Sequence, residues 1–342
     1  MKVLVTGHNG YIGSVLVPML LEAGYTVEGL DSNLFGDCTY GKPPVSIAEK
    51  CKDIRDVEIS DIQGYDAVIH LAGLSNDPLG DYDPDLTYSI NYRASVKIAE
   101  LCKKAGVKRF LFASSCSNYG SAGDEFIAEG AEFNPVTPYG KSKVLVEQDV
   151  SKMADESFSP TFLRASTAYG MSPRIRFDLV ANNLTAWAYT EGLVRLKSDG
   201  KPWRPLVHVE DIARAYISAL SSPIEAVHNK GFNVGLTTEN YRIREVAEIV
   251  RNIVPNCEIA FAENAGPDKR NYRVNCNYIA LTLHNFKPQW TVERGVKQLY
   301  HAYKENGLKV EEFEGPKYKR IAHIQELIVS EKLSKDLRWL HK

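Results

Sequence analysis

Three glycines at intervals of three, Gly7, Gly10 and Gly13, sit where Lys2-Val3-Leu4-Val5 gives way to the helical run that begins at Tyr11. Glycine is required where a backbone turns sharply, approaches a neighbouring segment, or packs a helix start against a strand. The first N–H groups of the following helix have no intrahelical partner and offer partial positive charge to a phosphate. The spacing is Gly-xx-Gly-xx-Gly and departs from the Gly-x-Gly-xx-Gly of the usual dinucleotide fingerprint. Taken alone, the turn suits either a tight strand-to-helix loop or a dinucleotide site.

The rest of the chain favours the second. Short β-branched runs at Lys2–Val5, Thr26–Leu30, Ala67–His70, Arg109–Ala113 and Thr161–Leu163 alternate with segments long enough for helices, of which Tyr11–Ala23, Asp85–Ala105 and Pro138–Ala154 are the candidates. That alternation predicts βαβ units and a parallel, doubly wound α/β sheet of the Rossmann type, with ligands at the carboxyl ends of its strands. Asp31 ends the second strand 18 residues beyond Gly13, where a carboxylate can accept from both hydroxyls of an adenosine ribose and would repel a 2′-phosphate. NAD is therefore the expected cofactor. Gly7, Gly10 and Gly13 would meet its phosphates, with Asn9, Tyr11 and Ile12 as further cofactor contacts, while Asp53-Ile54 is either a turn or an adenine contact. After about residue 170 the rhythm loosens into pieces bounded by Pro and Gly, such as Ser198–Pro205. The expected organisation is a dinucleotide domain over 1–170, a smaller interleaved substrate lobe over 171–310, and a C-terminal extension over 311–342. From Gly315 to Lys342, Lys, Arg, Ile and Leu recur at roughly helical spacing, as in an ordinary surface helix pair.

The formal charge of the 342 residues is −2, which gives no general attraction for nucleic acid or an anionic membrane. Cys38, Cys51, Cys102, Cys116, Cys257 and Cys276 are far apart, with no CxxC pair and no histidine at metal-ligand spacing. They read as reduced thiols of a cytoplasmic protein. No leader pattern opens the chain and no apolar run reaches the ~18 residues of a membrane span.

Tyr139-Gly-Lys-Ser-Lys143 lies in a helical stretch, so Tyr139 and Lys143 share one face a turn apart. A tyrosine that acts as a base must lose a proton held at about pH 10 in water, and bringing that to neutrality costs about 4 kcal/mol. A neighbouring ammonium and a positively charged nicotinamide can supply it together. Tyr300 and Lys304 have the same spacing, but only Tyr139 follows a strand end rich in hydroxyls, Ser114-Ser-Cys-Ser117, in a sheet that already carries a dinucleotide turn. A Ser–His–Asp hydrolase would need a Gly-x-Ser-x-Gly elbow, and the chain has none.

At these residues the chain resembles the extended short-chain dehydrogenases/reductases that act on nucleotide-sugars, the NAD-dependent epimerase/dehydratase family that includes UDP-galactose 4-epimerase. The resemblance spans roughly residues 1–300. Thr6-Gly-His-Asn-Gly-Tyr-Ile-Gly13 is similar to TGxxGxIG, His70-Leu-Ala-Gly73 to the family's HLAA-like loop, and Asn91 to its helix asparagine. Ser114-Ser-Cys-Ser-Asn-Tyr-Gly120 resembles SSxxVYG, Pro138-Tyr-Gly-Lys-Ser-Lys143 PYxxSK, and Leu163-Arg-Ala-Ser-Thr-Ala-Tyr-Gly170 LRxxNxYG. The resemblance implies Ser115, Tyr139 and Lys143 as catalytic residues, and Leu71, Ala72, Gly73 and Asn91 as further cofactor contacts beside Tyr139 and Lys143. It implies a nucleotide-diphosphate sugar as substrate, met by Ser117, Thr167, Asn182 or Asn183, Arg204 and Arg273, and a homodimer.

Three departures stand out. Thr167 replaces the asparagine of LRxxNxYG, Trp203-Arg204-Pro205 replaces the usual Arg-Asp-Phe before His208-Val-Glu-Asp211, and the tail beyond about residue 310 has no counterpart in the short members, so that a role in the sugar pocket or an oligomer contact is open to it. The expected activity is epimerisation through a transient keto-sugar. A 4-ketoreductase using NAD(P)H is the alternative within the class, and a non-catalytic dinucleotide-binding module the alternative outside it; a complete Ser115, Tyr139 and Lys143 speaks against the module. A 4,6-dehydratase is not expected, because the positions after Ser115 hold Cys116 and Ser117 where dehydratases place a carboxylate, and Asp124 and Glu125 lie beyond the Tyr119-Gly120 turn.

Overall fold

The chain, as a computed structural model, is described over residues 1–75, 83–266 and 271–340. Seven strands form its central sheet: β1 (Lys2–Thr6), β2 (Thr26–Asp31), β3 (Glu49–Cys51), β4 (Ala67–His70), β5 (Arg109–Ser115), β6 (Ser159–Ala165) and β7 (Lys230–Val234). They lie in the order β7-β6-β5-β4-β1-β2-β3, every pair parallel. The chain winds outward from β1 through β2 and β3, then returns to the other side of β1 at β4. A crevice therefore opens at the carboxyl ends of β1 and β4, the switch point where such sheets hold ligands.

Both faces of the sheet's middle are covered, so β1 and β4 are apolar on both sides and do not alternate, whereas the edge strand β3, Glu-Lys-Cys, is polar and largely exposed. The pleat still divides them. Leu4, Val68, Phe110 and Phe112 point into one core, and Val3, Val5, Ala67, Ile69 and Leu111 into the other. The first core is closed by helices α2 (Ala94–Lys104) and α3 (Pro138–Ser151). The second is closed by α1 (Gly13–Glu22) and the helix Val209–Ser221.

The expected strands all form, but four run further: β1 and β2 by one residue, to Thr6 and Asp31, and two others by more. β5 continues through Ser115 and β6 through Ala165, so the hydroxyl-bearing residues belong to the rigid strand end. Asp85–Ala105 is not one regular helix: Pro84–Thr87 leads into a wider π turn over Tyr88–Arg93 before α2 begins. β7, which completes the sheet from beyond residue 170, carries no strong sequence signal.

The second lobe is interleaved with this framework. Thr167–Tyr169, Trp203–His208 and Asn240–Arg242 make a three-stranded sheet, and the helices Val180–Glu191, Ile243–Ile253 and Val292–Glu305 pack beside it. Among the described residues no helix is long and apolar enough to cross a membrane.

The C-terminal extension corrects the expectation of a surface helix pair. One helix forms, Arg320–Val329; the chain then doubles back, and Leu333 and Leu337 are buried in the same core as α2 and α3. Helical spacing fails after Val329, where Ser330, Ser334 and Asp336 favour turns.

A buried ion pair ties these layers together. Glu147 of α3 accepts from Arg164 of β6 at 2.7 Å, and both side chains are almost wholly enclosed. Removing one member of such a pair strands the other charge, whereas replacing both is far milder. Arg164→Met is expected to lower the unfolding free energy by about 3–5 kcal/mol. The double variant Arg164→Met/Glu147→Gln should sit closer to wild type, as read from urea midpoints.

Candidate active site

A cavity of about 1200 Å³ occupies the switch-point crevice and extends into the second lobe. Gly7, Gly10, Tyr11, Ile12, Gly13, Asp31, Asp53, Ile54, Leu71, Ala72 and Gly73 line its sheet side. Ser115, Ser117, Tyr139, Lys143 and Thr167 line its middle, and Asn183 and Arg204 the second-lobe side.

The glycine turn is a cradle that side chains would fill. At Gly7, where φ is +76°, a Cβ would lie 2.6 Å from the Ala72 backbone nitrogen; at Gly13 it would lie 2.3 Å from the Gly7 carbonyl oxygen. Asp31 is fixed at the end of β2 by two backbone donors, Asn33 N–H to Oδ1 at 2.8 Å and Asn9 N–H to Oδ2 at 3.1 Å. Asp53 caps a short turn and is gripped by Arg55; burial pushes its carboxyl up, but the Arg55 side chain and backbone N–H outweigh that and hold it below its usual range. A cradle bare of side chains, helix N–H groups and an oriented carboxylate fit a dinucleotide with free ribose hydroxyls.

Four expected contacts lie outside the cavity lining. Asn9 serves through its backbone, its amide donating to Asn33 and Glu49. Asn91 is enclosed in the π turn and binds Leu74 twice, Oδ1 accepting from its N–H at 2.7 Å and Nδ2 donating to its carbonyl at 2.9 Å. It therefore holds the Leu71–Leu74 loop against the crevice. Asn182 is fully buried and accepts from the Gly170 N–H while donating to the Arg176 carbonyl, so Asn183 is the one of the pair that reaches the cavity. Arg273 lies between the rings of Phe126 and Trp203, 3.9 and 4.4 Å from their centroids, and donates to the Asp124 carbonyl. Trp203 in turn presents its carbonyl to Arg204, whose Nη1 donates to it at 2.7 Å. The bulky Trp-Arg-Pro frame thus fixes Arg204, itself 4% exposed, at the cavity wall.

At the middle, Ser117 donates to Ser115 Oγ from its backbone N–H at 3.1 Å and from its hydroxyl at 2.7 Å. Ser115 then has its own proton to give onward. Thr137 caps α3 by accepting from the Gly140 N–H, with Pro138 at the first turn, which sets Tyr139 and Lys143 at the helix start. The Lys143 ammonium nitrogen is 5.6 Å from the Tyr139 ring centroid and 4.6 Å from that of Phe112. Burial draws Lys143 down to about 8, against an opposite pull from Glu147. His70, enclosed between Thr6 and Ser95, is drawn down to about 3 by burial and then by Lys143, so it is neutral. Cys116 donates to the Arg164 carbonyl, and burial pushes its thiol well above the usual range, so it is no thiolate. Tyr300 packs on Tyr189 and His301, outside this cavity.

Sequence reasoning missed Asp178 and Arg176. Both line the cavity, joined by two contacts, Nη2 to Oδ2 at 2.6 Å and Nε to Oδ1 at 3.0 Å, and Arg176 also donates to Ser75. An Arg-x-Asp pair carries no signal of its own. Arg195 and Arg320 reach the lining too.

Residues 3–235 match the sequence profile of the NAD dependent epimerase/dehydratase family. The UDP-glucose 4-epimerase of Homo sapiens is 30% identical over 278 residues, covering 69% of this chain and 78% of its own. A putative UDP-glucose 4-epimerase of Methanocaldococcus jannaschii is 27% identical over 316 residues, covering 89% and 99%. Among solved structures, MoeE5 in complex with UDP-glucuronic acid and NAD superposes with a TM-score of 0.77 at 26% identity, over 89% of this chain and 99% of that one.

The displaced Lys143 leaves a signature in stability. Its proton is held to about 8 in the folded chain and to about 10.5 when unfolded, so between those pH values the unfolded state binds more protons and stability rises with pH. Replacing the ammonium by Met removes this slope. The unfolding free energy of wild type relative to Lys143→Met is expected to climb by about 3 kcal/mol from pH 8 to 10.5, measured by denaturant titration at each pH.

Proposed function

Since the chain belongs to the NAD-dependent epimerase/dehydratase family and is an NAD enzyme acting on nucleotide-sugars, we propose that it is an epimerase that inverts one sugar carbon through a transient keto-sugar. The observation that carries this reading is the convergence of Ser115, Tyr139 and Lys143 on one cavity, at the junction between the glycine cradle and the second lobe. NAD, held by the glycine cradle and Asp31, would supply a reversible hydride acceptor for the sugar carbon.

Tyr139 accepts the proton of the sugar hydroxyl as the carbon is oxidised and gives it back on reduction. Lys143, an enclosed ammonium beside the ring, favours the tyrosinate. Ser115, its oxygen already occupied by two donors from Ser117, donates to the sugar oxygen and stabilises the charge that grows there. Arg204 and Asn183 hold the diphosphate and its surroundings, the guanidinium matching phosphate oxygens in pairs. The keto-sugar turns over in the space between these groups and Thr167, whose side chain reaches one atom less far than the asparagine it replaces. The same reading makes the enzyme a cytoplasmic homodimer; its six cysteines, none paired in a disulfide, suit a reducing compartment.

Dehydration needs a base for a carbon-bound proton and an acid for the departing hydroxyl. Among the described residues the carboxylates that line the cavity are Asp31 and Asp53, on the β2–β3 side, and Asp178, which Arg176 grips through both oxygens. Both oxygens of that carboxylate are thus engaged by one guanidinium. Incubation with NAD and UDP-, dTDP-, GDP- or CDP-hexoses is expected to give no product lighter by one water in mass spectra. Sustained formation of a 4-keto-6-deoxy sugar would overturn the epimerase reading and turn attention to Asp178.

Tyr139→Phe removes the proton-transfer group alone. It should fold and retain NAD while losing nearly all turnover of a nucleotide-sugar identified by mass spectrometry of ligands released from the purified protein. Activity within tenfold of wild type would remove Tyr139 from the mechanism.

A further inference from the structure

The C-terminal helix places a guanidinium in the cofactor half of the cavity. Arg320, the first residue of Arg320–Val329, lines the cavity and is 6% exposed, and its Nη1 has no hydrogen-bond partner. A buried, unpaired donor is costly unless something fills its valence. Its Nη2 donates to the Arg174 carbonyl at 3.3 Å, and its Cζ lies 3.9 Å from the ring centroid of Phe35. Arg174 in turn donates from Nε to the Asn9 carbonyl at 3.2 Å, so Arg320 stands beside the residue that covers the glycine turn.

Charge points the same way. A dinucleotide diphosphate carries two negative charges, and a helix start supplies about half a positive one. The cavity's other cations are committed elsewhere: Lys143 beside Tyr139, Arg176 on Asp178, and Arg195 and Arg204 on the second lobe. Burial lowers Arg320 to about 10, which leaves it charged at neutral pH.

We infer that Arg320 is a cofactor ligand, donating from Nη1 to an oxygen of the NAD diphosphate, and that the C-terminal segment is thereby a closing strap of the cofactor site. The strap is anchored where the adenosine would lie. Trp339 Nε1 donates to the Ser32 carbonyl at 2.6 Å, Arg55 donates to the Leu337 carbonyl at 3.3 Å, and Arg338 pairs with Asp53 and Asp56. Leu337 itself lines the cavity. This inference rests on the NAD site and stands whether or not the sugar chemistry is epimerisation.

The test is equilibrium binding to the full chain freed of nucleotide. With Arg320→Met, NAD and ADP-ribose are expected to bind at least tenfold more weakly while adenosine changes less than twofold, and Arg320→Lys should recover part of the loss. An unchanged affinity for ADP-ribose, or an equal loss for adenosine, would overturn the assignment. Hydrogen exchange on the unmutated chain gives an answer independent of how the variants fold. ADP-ribose should slow exchange over Arg320–Val329 several-fold and adenosine should not; identical exchange with both would equally refute a diphosphate contact.

Discussion

The geometry of the candidate active site depends on the buried pair of Glu147 and Arg164. Glu147 projects from the helix that carries Tyr139 and Lys143, and Arg164 from the strand beside the one that ends at Ser115. Ser114 and Asn118 also donate to Glu147, while Arg164 Nη1 donates to the Tyr119 hydroxyl and the Glu129 carbonyl. The network continues into β7, since Tyr119 donates to Asn233 Oδ1 and the Asn233 N–H donates to Glu129. Five segments that are distant in sequence are thus fixed in one arrangement, and each donor and acceptor limits the others. A buried ion pair is weak as a source of net stability, but it can specify which surfaces meet. Gly231 makes room for it: a Cβ there would lie 2.6 Å from the Arg164 guanidinium.

A second constraint acts at the switch point. The glycine turn and the Leu71–Leu74 loop come so close that a side chain at Gly7 would strike the Ala72 backbone, and Asn91 pins the loop from behind through its paired bonds to Leu74. The π turn widens the helix where that asparagine sits; such turns are frequent at functional sites. The local irregularity thus serves the shape of the crevice, although the residue responsible lines none of it.

The five inner strands were legible in the sequence because parallel strands buried in the sheet leave apolar runs, and because turns next to ligands need glycine, whereas the edge strands β3 and β7 left no such run. The glycine cradle and Asp31 stood out at the first strand-to-helix turn and the second strand end, and Tyr139 and Lys143 by their one-turn spacing, whereas Ser115 was singled out from its neighbours only by the resemblance to SSxxVYG, since the local pattern ends β5 at Ala113. The second lobe offered no such rule. Asn182 and Asn183 are adjacent on one helix, and only packing against the Gly170 turn decides which is buried. Arg273 has the charge for a phosphate contact, yet the rings of Phe126 and Trp203, 147 and 70 residues away along the chain, claim it. Asp178 gains its meaning from Arg176 and the fold around them. The tail was least legible, since its amphipathic spacing says that one face is covered but not by what.

The proposed role of Lys143 draws these constraints together. An ammonium four residues before a glutamate on one helix would ordinarily pair with it, and a paired lysine would have little field to lend a neighbouring hydroxyl. Here Arg164 takes both oxygens of Glu147, and Ser114 and Asn118 also donate to its Oε1. Lys143 is left among Phe112, Tyr139 and the Gly73 loop, enclosed and drawn down to about 8. In that low-dielectric setting its charge acts on the Tyr139 ring more strongly than it would in water. The cost of burying an ammonium with its nearest carboxylate already engaged is borne by the same network that holds the strands in register. Structural pairing and proposed catalytic function are therefore one arrangement: the arginine that secures the fold also withholds the glutamate that would silence the lysine.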